Sequence, residues 1–252
     1  MSVLSNLHTD LRRARLTRRG ATTPPDQAAS GAHKEYPRME RILLPASPSE
    51  LSQPLETLLE RRHSAASIGS EALSPSAWSG LLAGLRAHSG VPRRRYPSGG
   101  GLFPIETYVV AFTPGEVRGV FHYHPKEHAL ERLWDIPAEI EPAELVRAEE
   151  GVATSSIILF TSVWERTSTK YGEFAYLLAL MEAGHMSENV LLATTALDLA
   201  ARPFASFDDE LAHHLLDIDE RVEQPILAIA VGKRKVSDEI NGGSQLKSDA
   251  DE

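Results

Sequence analysis

Hydrophobic positions recur at helical spacing over residues 169–201, the longest such stretch of the chain. Phe, Leu and Met follow one another at three- and four-residue steps, and no proline interrupts them. Apolar side chains occupy more than one face, which predicts a helix buried in the core or between two subunits. Polar residues within it are not required for packing, so we expect them to carry function. These residues are Lys170, Tyr171, Glu182, His185 and Asn189.

Shorter patterns on either side predict the remaining elements. Helices are expected at 54–62, 142–149 and 208–216, and a further helix is expected to begin after a cap at Ser74. Strands are expected at 105–112, 117–124, 156–163 and 225–231. Residues 42–44 are expected to form a short strand or a packing arm. The first helix is expected to turn Leu55, Leu58 and Leu59 inward. The order is not a regular βαβ alternation, so it predicts an α+β fold with helices around a small mixed sheet.

Length, charge and composition limit the classes of protein. A chain of 252 residues can form one large domain or two small ones. The net charge of -9 argues against a general nucleic-acid binder. The absence of cysteine excludes disulfides, thiolate catalysis and cysteine metal sites, and it fits a cytoplasmic protein. No run of eighteen apolar residues occurs, so no membrane span is expected.

The two ends of the chain differ from its middle. Residues 1–33 include an Arg-rich stretch and a double proline, which favour a flexible, solvated arm over a transit peptide. Residues 234–252 are charged and rich in Gly and Ser, which predicts a flexible tail. Residues 34–233 are therefore the expected folded domain.

Two short motifs offer groups for binding and proton transfer. The guanidinium of Arg62 and the hydroxyl of Ser64, with His63 between them, can both donate to one phosphate. A surface Arg and a capping Ser are the alternative. Lys170 can lower the phenol pKa of the adjacent Tyr171 and make it a usable acid or base, although an exposed Lys beside a packing Tyr is commoner.

A glycine-rich loop precedes the strand at 105–112. Its glycines let the backbone approach a flat or anionic ligand, and a flexible turn is the equal alternative. It fits neither a Walker loop nor a dinucleotide fingerprint. The relevant residues are Pro97, Ser98, Gly99 and Gly100. In the following hairpin, His122 and His124 share a strand face and could hold a metal, but exposed imidazoles are favoured.

Polar residues in the middle of the long helix share one stripe. Glu182 and His185 are three residues apart, and Asn189 follows four residues later. Gly184 removes a side chain where a flat group could lie close. A Glu-x-x-His pair also suggests half of a di-metal site, but no second pair occurs on another helix, so no metal is predicted.

Taken in order, these motifs resemble the nitroreductase-like flavoproteins. Within them they resemble the SagB/McbC-type azoline dehydrogenases. The segments that carry the resemblance are RHS, PSGGGLFPIE, FHYHPKEHALERL, KYGEFAYLLALMEAGHMSENVLLATTALDL, FDD and PILAIAVG. It covers about residues 34–233.

The resemblance implies a domain-swapped homodimer with two FMN sites at the interface. It assigns Lys170 and Tyr171 to catalysis. The cofactor-binding positions that it implies are Arg62, His63, Ser64, Pro97, Ser98, Gly99, Gly100, Glu182, Gly184, Asn189 and Lys233. Many relatives have a basic residue two positions after the serine, where this chain has Ala66; the arginines at 93–95 are candidates to replace that contact.

The function that the resemblance implies is oxidation of peptide thiazolines or oxazolines to aromatic azoles. Tyr171, assisted by Lys170, would remove the ring α-proton, and the flavin would carry out the redox step. The expected partners are an azoline-containing precursor peptide and, as a further candidate, a cyclodehydratase. The alternatives are an NAD(P)H-dependent nitro- or quinone reductase and a flavin-free scaffold subunit of a peptide-modifying complex.

Overall fold

A seven-stranded sheet forms the centre of the fold. The computed structural model describes residues 33–46, 48–146 and 154–235. The strands are β1 (Arg41–Leu43), β2 (Ile105–Ala111), β3 (Gly119–His124), β4 (Ala129–Trp134), β5 (Ser156–Val163), β6 (Leu199–Phe204) and β7 (Glu223–Lys233). Their order is β1-β4-β3-β2-β5-β7-β6, and every neighbouring pair is antiparallel.

Six α-helices flank this sheet in the described part of the chain. They are α1 (Leu55–Arg61), α2 (Pro75–Leu82), α3 (Pro142–Leu145), α4 (Glu165–Tyr171), α5 (Phe174–Ala196) and α6 (Asp209–Leu216). Ser74 caps α2 by accepting from the amide of Ala77, and Asp208 caps α6 in the same way. The α+β class predicted from the sequence is therefore confirmed. Among the described residues, no helix is both long and apolar enough to cross a membrane.

The two faces of the sheet carry separate cores. Adjacent residues of a strand point to opposite faces, so Val109 packs with residues of α2 and α5 while Val110 packs with residues of α3 and α6. The centre of the sheet is apolar on both sides because helices cover both sides. The helix α5 thus lies on one face only, and part of its surface is left exposed.

The long helix predicted over residues 169–201 is wrong at both ends. Gly172 has φ 54° and ψ -139°, which ends α4 and separates Lys170 and Tyr171 from α5. The other end is Ala196, because Asp198 takes φ 53° and turns the chain into β6. The 23 residues of α5 span about 35 Å at 1.5 Å per residue.

Other differences concern strands and helix faces. The sequence pattern missed β4 and β6, so the sheet is larger than expected. In α1 only Leu58 is buried, whereas Leu55 and Leu59 are 61% and 54% exposed. The predicted arm and tail lie mostly outside the described residues, as does the end of the predicted helix at 142–149.

Candidate active site

The glycine loop lies directly against the Lys170–Tyr171 pair. Gly100 has φ 69°, a conformation that favours glycine. A Cβ atom there would collide with the Tyr171 hydroxyl and lie 3.1 Å from Lys170 Nζ. Lys170 Nζ is 5.5 Å from the centre of the Tyr171 ring. The structure therefore brings together two motifs that are about 70 residues apart and leaves the glycine no room for a side chain.

Arg166 ties α4, which carries this pair, to the sheet. Its guanidinium donates to the carbonyl of Phe103 at 3.0 Å and forms a 2.5 Å ion pair with the buried carboxylate of Glu106 in β2. The amide of Phe103 donates to the Ser98 hydroxyl at 2.9 Å. Phe103 has φ 48°, a strained value for a non-glycine residue, and both of its backbone polar groups are fixed by these bonds.

Glu182 is a buried carboxyl group near the same loop. It is 2% exposed, and no described residue forms a hydrogen bond to either of its carboxyl oxygens. Burial therefore raises the pKa of Glu182 to about 7, and the nearby Ser98 hydroxyl and Arg94 oppose this rise only in part. Glu182 can thus hold or release a proton near neutral pH.

This raised pKa predicts a pH-dependent stability. The folded protein keeps the Glu182 proton up to about pH 7, whereas the unfolded chain releases it near pH 4.5. The resulting stability is complete below pH 4.5 and is lost as the pH rises through 7. In urea unfolding of the flavin-free protein, the free energy of unfolding of wild type should fall by on the order of 2–3 kcal/mol between pH 5 and pH 8. The variant Glu182→Gln should not show this fall.

The exposed Glu60→Gln is the matched control and should leave that fall unchanged. Equal pH dependence in wild type and Glu182→Gln would show that the carboxyl group is ionised in the folded protein throughout this range.

A second group of predicted residues lies at the other end of α5. The segment at 62–69, which includes Arg62, His63 and Ser64, runs beside the ends of β6 and β7. The amide of Ala65 donates to the Ala201 carbonyl at 2.9 Å, and that of Gly69 donates to the Lys233 carbonyl at 2.7 Å. Arg62, Ser64 and Lys233 therefore come from distant parts of the sequence to one edge of the fold.

Two further arginines stand at this edge. Arg61 and Arg234 each lie 3.5 Å from the same carboxylate oxygen of Asp198. Sequence reasoning missed both, although each is adjacent to a predicted position. The edge thus carries four basic side chains: Arg61, Arg62, Lys233 and Arg234.

Glu188 and Asn189 lie on α5 between its middle and this edge. The amide of Asn189 donates to the carbonyls of Gly84 at 3.0 Å and Arg95 at 3.3 Å. Arg62 Nε is 4.0 Å from a carboxylate oxygen of Glu188. A Cβ at Gly184 would meet no atom within 4 Å, so the surface beside it is open.

The hairpin histidines are buried, so the expectation of exposed imidazoles was wrong. His122 lies between two carboxylates, with its ring nitrogens 2.9 Å from Glu106 and 2.9 Å from Glu131. Burial lowers the pKa of His122, but the two hydrogen bonds outweigh this effect and raise it overall. Burial likewise opposes ionisation of Glu106, yet the bond to His122 brings the pKa of Glu106 down to about 2. Hydrogen bonds to two carboxylates thus favour the protonated form of the His122 ring.

His124 belongs to another cluster. Its Nε2 is 3.3 Å from His33 Nε2, which is 3.0 Å from the Glu35 carboxylate. The amide of Glu127 donates to His124 Nδ1 at 3.1 Å, which puts the proton of the neutral ring on Nε2, the atom facing the cluster. This geometry favours hydrogen bonding over metal coordination, and the absence of a metal stays a prediction.

The chain is similar in sequence to a known family of proteins. Residues 53–233, more than half of the chain, match the model of the nitroreductase family. The chain belongs to the nitroreductase family. It is thus a member of a family of flavin-binding oxidoreductases, and the resemblance to nitroreductase-like flavoproteins is confirmed.

This nitroreductase-family chain has relatives of several kinds. It is 32% identical over 140 residues to MJ1384 of Methanocaldococcus jannaschii, a protein assigned to the nitroreductases; the match covers 55% of this chain and 69% of that protein. It is 28% identical over 149 residues to the microcin B17-processing protein McbC of Escherichia coli, covering 55% and 53%. It is 26% identical over 150 residues to the trifolitoxin-processing protein TfxB of Rhizobium leguminosarum bv. trifolii, covering 57% and 40%.

The matched regions thus span about half of McbC and two-fifths of TfxB. Among solved structures, a chain of the E. coli microcin synthetase McbBCD complex with truncated pro-MccB17 bound has a TM-score of 0.64 at 24% identity, covering 92% of this chain and 93% of that one. A Ralstonia eutropha protein assigned to the nitroreductases has a TM-score of 0.67 at 22% identity, covering 77% and 90%. These structural matches establish the fold.

The residues of this nitroreductase-family chain fit FMN. The basic edge with Ser64 has the donors that a phosphate needs. At Gly99 and Gly100 the position of a Cβ is filled by Leu178 and by the Lys170–Tyr171 pair, whereas the space beside Gly101 is open. A flat ring would therefore contact the backbone of this loop. Glu182 offers buried carboxyl oxygens without a partner among the described residues, which are groups that a bound ring could satisfy.

Proposed function

We propose that this protein is an FMN-dependent dehydrogenase that oxidises thiazoline or oxazoline rings in a ribosomally made peptide to thiazoles or oxazoles. The observation that carries the proposal is the contact of the Lys170–Tyr171 pair with the glycine loop at Gly100. It sets an amine and a phenol beside the loop expected to contact the flavin. The names of McbC and TfxB, which process peptides, support a peptide as the substrate.

Aromatisation of an azoline removes one proton and one hydride. FMN, when bound, supplies the acceptor for the hydride. The Tyr171 oxygen is the proposed acceptor of the ring α-proton, and Lys170, whose Nζ lies 5.5 Å from the centre of the Tyr171 ring, is proposed to assist the transfer. Arg166 holds α4 at the sheet through Glu106 and Phe103, so the two groups keep their position beside the loop.

The cofactor would be held by residues at both ends of α5. Arg62 and Ser64, with Lys233, would bind the phosphate, and His63 lies between them. The loop residues Pro97, Ser98, Gly99 and Gly100, together with Glu182, Gly184 and Asn189, would border the ring. The basic residue missing at Ala66 is replaced in this proposal by Arg61 or Arg234, which lie at the same edge.

A second copy of the chain is the proposed cover for the open face of α5. Tyr176, Leu180 and Met181 of this helix are 50%, 38% and 51% exposed, and Leu55 and Leu59 of α1 are exposed as well. Apolar side chains at helical spacing on one surface are typical of a subunit interface. The proposed dimer would then bury the apolar part of α5.

One chromatographic run with light scattering and absorbance detection tests cofactor and dimer together. We expect a particle with twice the chain mass that carries the flavin absorbance band. Incubation with a cyclodehydrated peptide should then remove two hydrogens per ring, measured by mass spectrometry. A colourless protein would support the scaffold alternative. Rapid bleaching of the flavin by NADPH without any azoline oxidation would support the reductase alternative.

A further inference from the structure

A cavity of about 470 Å³ opens next to the candidate active site. Its walls are the hairpin at 87–94, Phe103, the Pro125–Lys126 turn and His33. Its volume lies within the range that ligand-binding cavities have. Phe103 belongs to both places, because it lines the cavity and its amide donates to the Ser98 hydroxyl of the glycine loop. A group in this cavity would therefore lie close to the loop.

The walls of the cavity are held by backbone hydrogen bonds. In the hairpin, the amide of His88 donates to the Arg93 carbonyl at 2.8 Å, and the amide of Arg95 donates to the Arg86 carbonyl at 3.1 Å. The amide of Ala87 donates to the Pro125 carbonyl at 3.0 Å, which joins the hairpin to the opposite wall. The shape of the cavity is thus fixed by backbone hydrogen bonds within and between its walls.

Every ionisable side chain in the described lining is basic. These residues are His33, His88, Arg93, Arg94 and Lys126. The chain as a whole carries a net charge of -9, whereas the ionisable side chains that line the cavity are basic. Because it is enclosed on several sides, its positive potential is concentrated there.

Two nearby carboxylates already have cationic partners. Glu35 lies 3.0 Å from His33, and Glu127 lies 2.8 Å from Arg41. Neither is among the lining residues. Among the described residues, no carboxylate forms an ion pair with Arg93 or Lys126, the two exposed cations of the lining. These two side chains therefore favour an anionic ligand in the cavity.

Arg94 links the cavity to the groups of the active site. Its guanidinium lies 4.7 Å from the centre of the Phe103 ring and donates to the Tyr96 hydroxyl at 2.7 Å. Both partners are buried. The guanidinium is thus held in place where the cavity meets the core.

We infer that this cavity binds a carboxylate-bearing residue of the substrate peptide close to the azoline ring. The inference rests on the proposed function, because it takes the ligand to be a peptide. The carboxylate could belong to an Asp or Glu side chain or to the free C-terminus. An anionic neighbour of the ring would set which azoline of a peptide is oxidised.

The test compares matched peptides on wild type and on the double variant Arg93→Gln/Lys126→Gln. Both substituted side chains are exposed and lie on opposite walls. The peptides carry Glu or Gln before the ring, Glu or Gln after it, and a free or amidated C-terminus. We expect wild type to prefer one carboxylate form by about tenfold in kcat/KM, and the double variant to lose this preference. The arm that shows the preference identifies the source of the carboxylate.

Calorimetric binding of the corresponding azole peptides, which are already aromatic, gives a readout without turnover. If the protein oxidises no azoline but still binds the acidic azole peptide more tightly than the neutral one, the proposed function fails and the cavity inference stands. If azolines are oxidised with no preference in rate or affinity, only the cavity inference fails.

Two controls complete the design. Arg221→Gln removes an 84% exposed arginine that does not line the cavity, and it should keep the full preference. NADP+ is the competing anionic probe. If the double variant weakens NADP+ binding and leaves the peptide preference intact, the cavity is a nucleotide site and the inference is overturned.

Discussion

Replacing Tyr171 by Phe is expected to lower azoline turnover by about 100-fold or more while the protein keeps its flavin. The substitution removes only the hydroxyl that lies against Gly100. The phenyl ring remains, so the packing of α4 should not change. The hydroxyl is the proposed acceptor of the ring proton, and a positioned acid or base contributes an effect of this size. Turnover and flavin content, measured on the same preparation, separate chemistry from cofactor binding.

The companion variant Lys170→Ala should also keep flavin and lose turnover, because it removes the amine that lies 5.5 Å from the centre of the Tyr171 ring. Tyr176→Phe is the matched control, since it deletes the hydroxyl of a half-exposed tyrosine on α5. Normal azole formation by both Tyr171→Phe and Lys170→Ala would remove these residues from catalysis.

Replacing His122 by Leu should destabilise the protein by about 3–5 kcal/mol. The imidazolium separates the carboxylates of Glu106 and Glu131, and all three side chains are almost fully buried. Without it, two like charges face each other and lose their common partner. Denaturant unfolding measures the loss, and the exposed His214→Gln should stay within about 0.5 kcal/mol of wild type.

The pH dependence gives a second check on His122. Its pKa is raised in the folded state, so its contribution is complete below pH 6.5 and is lost as the pH rises through the folded value. The difference between His122→Leu and wild type should therefore shrink at alkaline pH. If His122→Leu does not fold, the double variant with Glu106→Gln, which removes one of the facing charges, is expected to restore folding. A constant difference at all pH values would mean that the ring is neutral.

The same network bears on the active site. Glu106 accepts from the amide of Lys34 at 2.7 Å and pairs with Arg166 of α4, while Glu131 accepts from Arg41 at 2.8 Å. The segment before β1 and the helix that carries the Lys170–Tyr171 pair are thus fixed by one buried group of charges. A loss of turnover in His122→Leu would follow from a displaced α4 and should be accompanied by the loss of stability.

The sequence predicted best where a local pattern determines the structure. The cap at Ser74, the helix expected at 208–216, the strand at β2 and the buried strand at β5 follow from side chains within a few residues. The motifs near Gly100, Tyr171 and Glu182 were also chosen from local chemistry, and the fold brings them together.

What the sequence did not predict depends on distant partners. β4 contains Glu131 and Arg132, which are typical of an exposed turn, but Glu131 faces inward because His122 and Arg41 compensate its charge. β6 continues an apolar helical pattern and is diverted by the positive φ of Asp198. Arg166 lies one helical turn before Lys170, and only the fold shows that it reaches Glu106.

The break at Gly172 places the Lys170–Tyr171 pair and the residues of α5 on two separate helices. Arg166, which precedes the break, attaches α4 to the sheet through its ion pair with Glu106. The residues after the break form α5. Substitutions in α4 can therefore change the position of Lys170 and Tyr171 without shifting the register of α5. Under the proposed function, changes in α4 would alter the fit of the substrate ring while the residues of α5 proposed to hold the cofactor stay in place.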